Sequence, residues 1–148
     1  MSYVSNICIA KEAGGKIEEI NSIEVIANKG ILKDRYFKKD SEKEMNQITL
    51  IESENVDYYN QLTGANLLPT DFRRNIITRG ISLNKLVGEK ILVGKVMMKV
   101  HDLCDPCRYL QELLCQKNLV KKLLNRGGLR CELLTSGSVH VNDAITIL

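Results

Sequence analysis

The sequence lacks the segments that carry a protein into or across a membrane. No apolar run approaches the roughly 20 residues that a helix needs to span a bilayer. The N-terminal stretch MSYVSNICIAKEAGG has no basic start followed by a long apolar core, so it does not resemble a signal peptide. These absences predict a cytoplasmic protein that does not associate with membranes.

A strong excess of charge is also missing. The chain has 21 lysines and arginines against 18 aspartates and glutamates, a net charge of +3. This balance is too even to indicate binding to nucleic acid. The densest charged run, LKDRYFKKDSEKE, mixes both signs and is interpreted as a solvated loop. Nucleic acid is therefore not an expected partner.

Short strand patterns separated by turn residues dominate the chain of 148 residues, and neither an internal repeat nor a regular alternation of strands and helices appears. Extended segments are predicted at residues 3–10, 22–31, 46–51, 71–81, 90–102, 129–135, 138–141 and 144–148. The prediction is one mostly β domain over residues 1–148. It is a barrel or sandwich of mainly antiparallel strands with a few helices attached.

Two helices are predicted between the strands. The first follows the strand at 46–51 and ends at Gly64, and the second is a long helix over about residues 109–125 that stops at the Gly127-Gly128 pair. The second has an apolar face that is interpreted as core packing, formed by Leu110, Leu113, Leu114, Val120, Leu123 and Leu124.

The chain has five cysteines, an odd number, and without a signal peptide they are expected to be free thiols. Cys104 and Cys107 form a C-x-x-C pair between a strand pattern and a helix pattern, which leaves three interpretations open. A structural zinc site would need further ligands from Cys115, Cys131, His101 and His140. A thioredoxin-like redox pair matches locally, although that fold has an early βαβ unit that this chain lacks.

In the third interpretation Cys107 alone is the working thiol. The following helix offers a positive end that stabilises a thiolate, and Pro106 fixes the backbone before it. Such a sulfur suits a transition metal or a persulfide. The other cysteines, Cys8, Cys115 and Cys131, are expected to be buried core residues.

The segment DFRRNIITRGI is the second candidate site element. Strand alternation would place Arg73, Asn75 and Ile77 on one face of it and Arg74, Ile76 and Thr78 on the other. Arginine forks beside an amide suit a ligand that carries phosphate and a heterocycle. A solvated strand edge is the alternative.

Four segments resemble the MOSC family, which is named after the C-terminal domain of molybdenum cofactor sulfurase. In chain order they are GILKDRYF, DFRRNIITRGISLNKLVGEKILVG, CDPCRYL and GLRCELLTSGSVHVNDAI, and the resemblance is taken to cover residues 30–148. The resemblance implies a MOSC-type β-barrel that binds the molybdopterin form of molybdenum cofactor, or that handles sulfur destined for it.

The resemblance also implies roles for individual residues. The invariant cysteine of the family matches Cys107, which would bind molybdenum or carry a persulfide. The segment that lines the family's pocket and two further family elements match Arg73, Arg74, Asn75, Thr78, Asp34, Arg35 and Asp143. This chain departs from the family pattern at Lys33, Ser136 and Asn142, where glycines are usual, and asparagine tolerates the positive φ of such a turn.

Three functions stay open at this point. The first is a molybdenum-cofactor protein, with reduction of N-hydroxylated compounds as the activity that the family suggests. The second is a non-enzymatic sulfur carrier or delivery module for metal–sulfur cofactor assembly. The third is a regulatory binding domain in which Cys107 is structural. Pyridoxal phosphate chemistry is expected only from a separate partner, a cysteine desulfurase, and a reductase would need a redox partner protein.

Overall fold

The structure is a computed structural model that describes residues 1–37 and 47–148. Strands hold 37% of these described residues and helices 21%, which confirms the predicted mostly β fold. The strands are β1 (Tyr3–Ile9), β2 (Glu18–Ile20), β3 (Ser22–Ile26), β4 (Gly30–Ile31), β5 (Ile48–Glu52), β6 (Ile76–Arg79), β7 (Lys90–Val93), β8 (Val96–Leu103), β9 (Leu129–Leu133), β10 (Gly137–His140) and β11 (Ile145–Ile147).

The helices are α1 (Ser53–Thr63), α2 (Arg108–Leu113) and α3 (Leu119–Lys122), with two 3₁₀ helices at Pro69–Phe72 and Leu83–Leu86. Among the described residues, no helix has the length and apolar character needed to cross a membrane. Most of the charged run LKDRYFKKDSEKE, interpreted above as a solvated loop, lies outside the described residues.

Eight strands form one curled sheet in the order β11-β7-β8-β9-β5-β6-β1-β2, and a small sheet has the order β10-β3-β4. Only the pairing of β5 with β6 is parallel among these described strands. The curl brings β1 to the start of β11, where Tyr3 bridges Ala144. The Val4 amide there donates to the Asp143 carbonyl at 2.9 Å. The sheet is therefore rolled into a barrel-like shape.

Apolar side chains pack on both faces of the central strands. Ile76 and Leu50 belong to the cluster inside the curl, whereas their neighbours Ile77 and Ile51 pack outward against the helices. Burial on both faces explains why the apolar pairs Leu50-Ile51 and Ile76-Ile77 are consecutive instead of alternating with polar residues. The outer cluster also contains Cys8, Phe72 and Leu110, so the helices are anchored beside β1 and β6.

The prediction of one long helix over residues 109–125 is wrong. The chain forms two short helices, α2 and α3, because Cys115 (φ 53°) and Asn118 (φ 61°) adopt left-handed conformations that no α-helix contains. Side-chain hydrogen bonds occupy the gap between the helices. Tyr59 donates to the Gln116 side chain at 2.7 Å, and Gln111 accepts from the Val120 amide at 3.1 Å.

The break changes which leucines are buried. Leu113 and Leu124, placed on the apolar face by the helical pattern, are 49% and 58% exposed. Leu119, outside that pattern, is fully buried with Leu110 and Leu123. The kinked path turns α3 so that a different set of leucines meets the outer cluster.

Three extended segments also differ from prediction. The run at 90–102 is a hairpin of β7 and β8, because the chain reverses at Gly94 with φ 61°. The run at 22–31 is a hairpin of β3 and β4, because the chain reverses at Asn28 with φ 65°. The run at 71–81 is extended only in β6; it is preceded by a 3₁₀ helix and by Arg73, which has φ 63°. By contrast, α1 ends at a left-handed Gly64, and three closing strands form as predicted.

Gly128, just before β9, lies very close to the backbone of the neighbouring strand β5. It has φ +109°, and a Cβ there would collide with the backbone carbonyl of Leu50 in β5. We expect Gly128→Ala to lower the free energy of unfolding by about 3 kcal/mol or more, since rigid backbone must move. Urea unfolding measures this.

Gly88→Ala is the matched control, because Gly88 also has positive φ (+88°) but has open space around its Cβ position. Only the conformational cost of about 1 kcal/mol applies there. Equal destabilisation by the two substitutions would show that the close approach of Gly128 to β5 is unimportant.

Candidate functional site

Cys107 and three arginines meet in one small pocket of about 140 Å³. The pocket lies where the loop after β1, the segment 35–36, the segment 72–74 and the start of α2 converge. Arg35, Arg73 and Arg74 line it together with Cys107. Antiparallel pairing makes this convergence possible, because the end of β1 lies beside the start of β6.

The two cysteines of the C-x-x-C pair have different environments. Cys104 is 7% exposed, and its amide donates to the Gly128 carbonyl at 2.7 Å. Cys107 is exposed, directly precedes α2, and its thiol has no hydrogen-bond partner among the described residues. Cys107 is therefore the accessible sulfur of the pair, whereas Cys104 belongs to the scaffold.

Arg74 holds the loop that carries Cys107. Its guanidinium donates to the Gly127 carbonyl at 2.9 Å, to the Cys104 carbonyl at 2.8 Å and to the Asp105 carbonyl at 3.3 Å. The side chain thus satisfies backbone acceptors that would otherwise be unpaired at the start of the C-x-x-C loop. Its hydrogen-bonding capacity is largely used within the protein.

Asp34 and Arg35 form a buried ion pair at 3.1 Å, with side chains 0% and 6% exposed. Asp34 also accepts from the Ala10 amide at 3.1 Å, and Arg35 donates to the Arg73 carbonyl at 3.1 Å. The pair therefore joins the end of β1 to the backbone of Arg73. Removing one partner would leave a buried, uncompensated charge.

Arg73 differs from the other two arginines. It follows the 3₁₀ helix in a left-handed conformation, with its amide bonded to the Thr70 carbonyl at 3.1 Å and its own carbonyl held by Arg35. Its guanidinium makes no hydrogen bond or ion pair with the described part of the chain. Because of this conformation, Arg73 and Arg74 line one pocket instead of opposite strand faces.

Asn75 and Thr78 do not line the pocket. Asn75 is 1% exposed and accepts from the amide and hydroxyl of Thr49 at 3.1 and 3.2 Å. Thr78 is fully buried, with its hydroxyl directed to the Ile51 carbonyl at 3.4 Å. Both residues join β5 to β6, so their contacts support the sheet.

Asp143 is not brought to the pocket. It lies in the turn between β10 and β11, where its carboxylate accepts from the His140 amide at 2.8 Å. Asn142 in the same turn has φ 78°, so asparagine takes the conformation for which the family pattern has glycine. Lys33 likewise has φ 71°, which accounts for the usual glycine there, and it lines a neighbouring groove.

Burial separates the remaining cysteines. Cys8 is 1% exposed and donates to the Arg74 carbonyl at 2.8 Å, and burial raises its pKa to about 12 despite the opposing charge of Arg35. Burial likewise raises the pKa of Cys131. Cys115 was wrongly predicted to be buried; it is exposed, because the left-handed turn after α2 directs it outward.

A protein-only zinc site is not assembled in residues 1–37 and 47–148, where no group of three or more metal-ligating side chains converges. The histidines have ordinary partners. His101 lies 2.9 Å from Glu132, and His140 lies 3.7 Å from Asp143. The C-x-x-C pair is therefore not half of a four-ligand site formed by these residues.

Several pocket residues were missed by the sequence analysis, notably Tyr36, Phe72 and Tyr109. Tyr36 and Tyr109 adjoin Arg35 and Arg108 in sequence, but nothing in their spacing indicates that they meet. The Arg35 guanidinium stacks 4.4 Å from the centre of the Tyr36 ring. Larger hollows occur elsewhere, including one of about 650 Å³ beside α1, but the residues that line it include no cysteine or arginine.

The fold and the pocket define a small β domain with an accessible thiol beside arginines. The sequence model of the MOSC domain family matches residues 38–146. This chain belongs to the MOSC domain family, which is associated with molybdenum-cofactor binding or sulfurase roles.

Solved structures share the fold. The YuaD protein from Bacillus subtilis has a TM-score of 0.85 at 20% identity, with 99% of this chain and 96% of that chain covered. YiiM from Geobacillus stearothermophilus has a TM-score of 0.78 at 15% identity, covering 100% and 75% of the two chains. YiiM from Escherichia coli has a TM-score of 0.74 at 15% identity, with 100% of this chain and 70% of that chain covered. Comparison with curated proteins finds no match.

Thiol labelling tests the role of Arg74. In the wild type, iodoacetamide should modify Cys107 and Cys115 quickly and the buried Cys104 slowly. Arg74→Gln leaves backbone carbonyls without their donor, so we expect Cys104 to be labelled about tenfold faster through local opening. Peptide mapping of the alkylated protein measures the rate at each cysteine.

Arg108→Gln is the control, because the Arg108 side chain is 88% exposed and its ion-pair contact is a 3.9 Å approach to Glu112. It should leave all labelling rates unchanged. If Cys104 were as protected in Arg74→Gln as in the wild type, the guanidinium would not be what closes this loop.

Proposed function

We propose that this protein binds the molybdopterin form of molybdenum cofactor, with Cys107 as the sulfur that faces the metal or carries sulfur for it. The observation that supports this proposal most directly is the pairing of an exposed, unpartnered thiol with the uncommitted guanidinium of Arg73 in one pocket. A soft thiolate suits molybdenum, and an arginine fork suits the phosphate of the pterin.

The donor set fits one end of such a cofactor. Cys107 would hold the metal side and Arg73 the phosphate, while Arg35 and Arg74 keep the surrounding backbone in place. The pocket of about 140 Å³ is smaller than the ~300–1,000 Å³ of typical ligand pockets, so only part of the cofactor would be enclosed. When bound, the metal would supply the two-electron chemistry needed for reduction of N-hydroxylated compounds with a redox partner.

Anaerobic co-purification of molybdenum and pterin tests this function. The wild type should retain both, and Cys107→Ser should lower bound molybdenum by about tenfold or more, since hydroxyl is a poor ligand for a soft metal. Metal analysis together with pterin fluorescence measures the two components.

Cys115→Ser is the matched control, because Cys115 is also exposed but does not line the pocket. It should bind as the wild type does. Absence of cofactor from all three proteins would contradict the proposal. Equal loss of bound molybdenum in both serine variants would show that Cys107 has no particular role in binding the metal.

A sulfur carrier without enzymatic activity is the second candidate. The small volume of the pocket favours it, since a persulfide on Cys107 needs less room than a whole cofactor. In this case a cysteine desulfurase using pyridoxal phosphate would load Cys107, and the protein would deliver sulfur to a metal–sulfur cofactor. Transfer of labelled sulfur to Cys107 from a purified desulfurase distinguishes it from cofactor binding.

The two cysteines of the pair should behave differently. Because Cys104 is buried and bonded through its backbone, Cys104→Ala should retain cofactor or sulfur on Cys107 while losing about 1 kcal/mol of stability. Cys107→Ala should retain neither. Equal loss of binding in both variants, with folded protein by circular dichroism, would favour a paired-thiol mechanism instead.

A further inference from the structure

The Cys107 pocket is too small for most metabolites. Its volume is about 140 Å³, against the ~300–1,000 Å³ of pockets that enclose drug-sized ligands. A molecule that is fully enclosed beside the thiol must therefore have few atoms. This limit applies to a molecule that occupies the pocket beside Cys107, and a larger group could still lie against the outside of the pocket because the thiol is exposed.

The charge of the pocket selects among small molecules. None of the described residues that line it is an aspartate or glutamate. The charge of Arg35 is compensated by Asp34 at 3.1 Å, whereas Arg74 bonds only neutral carbonyls and Arg73 bonds no described group through its side chain. Two guanidinium charges thus have no carboxylate partner among residues 1–37 and 47–148, which fits a ligand with two negative charges.

The remaining walls suit sulfur. Phe72 is 1% exposed and Leu110 is 3% exposed, and both line the pocket next to Cys107. An apolar wall favours a polarisable sulfur atom over a hydrated oxyanion oxygen. A ligand with one soft sulfur end and one doubly charged oxyanion end therefore matches the pocket better than sulfate or phosphate does.

From these features we infer that Cys107 is loaded directly by a small inorganic sulfur donor of the thiosulfate class. The inference rests on the proposed role of Cys107 as the working thiol. The thiol first loses its proton to solvent, and the thiolate attacks the outer sulfur of thiosulfate. A sulfur–sulfur bond forms to Cys107 while the bond to the sulfonate sulfur breaks.

The step needs no other reactant. The electron pair of the broken bond leaves with sulfite, so one thiolate and one thiosulfate give one cysteine persulfide and one sulfite, with the total charge conserved. No external oxidant or reductant takes part. Arg73 binds the oxyanion end and stabilises the departing sulfite, whereas Arg74 and Arg35 act as positioning residues that hold the loop and the Arg73 backbone.

Anaerobic incubation of the full chain with sodium thiosulfate tests this inference. Peptide mass analysis should locate one added sulfur atom on Cys107, and sulfite should appear in equal amount. Cys107→Ser should give neither product. In Arg73→Gln the thiosulfate concentration for half-maximal loading should rise by about tenfold or more, with Arg73→Lys between that variant and the wild type.

Arg108→Gln serves as the charge-matched control, since Arg108 is next to Cys107 in sequence but is 88% exposed and does not line the pocket. It should load as the wild type does. Equal effects of the Arg73 and Arg108 substitutions on the half-maximal thiosulfate concentration would overturn the inference, because the general positive charge near Cys107 would then explain the loading. Absence of persulfide from folded wild type would overturn it as well.

Cofactor retention is measured on the same preparation, so the two proposals can fail separately. If molybdenum and pterin are retained but thiosulfate gives no persulfide, the sulfur donor is wrong and the proposed function stands. If persulfide forms on Cys107 without any cofactor binding, the inference stands and the cofactor assignment fails.

Discussion

The guanidinium of Arg74 joins segments that lie far apart in the sequence. Its guanidinium binds the carbonyls of Cys104 and Gly127, and its own carbonyl accepts the Cys8 thiol. With these contacts in place, the C-x-x-C loop has one path, which buries Cys104 and exposes Cys107. The accessible thiol is therefore a consequence of a hydrogen-bonded backbone and not of the cysteine spacing alone.

A division of roles among the arginines follows from this arrangement. Arg35 is neutralised by Asp34 and holds the backbone of Arg73, while Arg74 holds the loop. Only Arg73 keeps its hydrogen-bonding capacity for a ligand within the described structure. The buried Asp34–Arg35 pair and the backbone contacts of Arg74 fix the geometry, whereas the charges of Arg73 and Arg74, which have no carboxylate partner in the described structure, give the pocket its preference for anions.

Local patterns predicted part of this structure. The strand character, α1 with its end at Gly64, and the position of Cys107 before a helix follow from short-range periodicity and turn residues. The break between α2 and α3 could not be predicted in this way, because Cys115 and Asn118 take left-handed conformations that neither residue type requires. The hydrogen-bond partners of Arg74 could not be predicted either, because backbone carbonyls of distant segments give no signal in the sequence.

The closure of the curled sheet bears on how the protein folds. Hydrogen bonds of residues 2–4 with residues 142–145 join segments separated by nearly the whole chain. Forming them requires closing a loop of about 140 residues, and the associated loss of chain entropy is compensated only late in folding. β1 therefore depends on two distant segments, β6 on one side and the start of β11 on the other. This dependence implies slow, highly cooperative folding in which β1 is fully held only after β11 is in place.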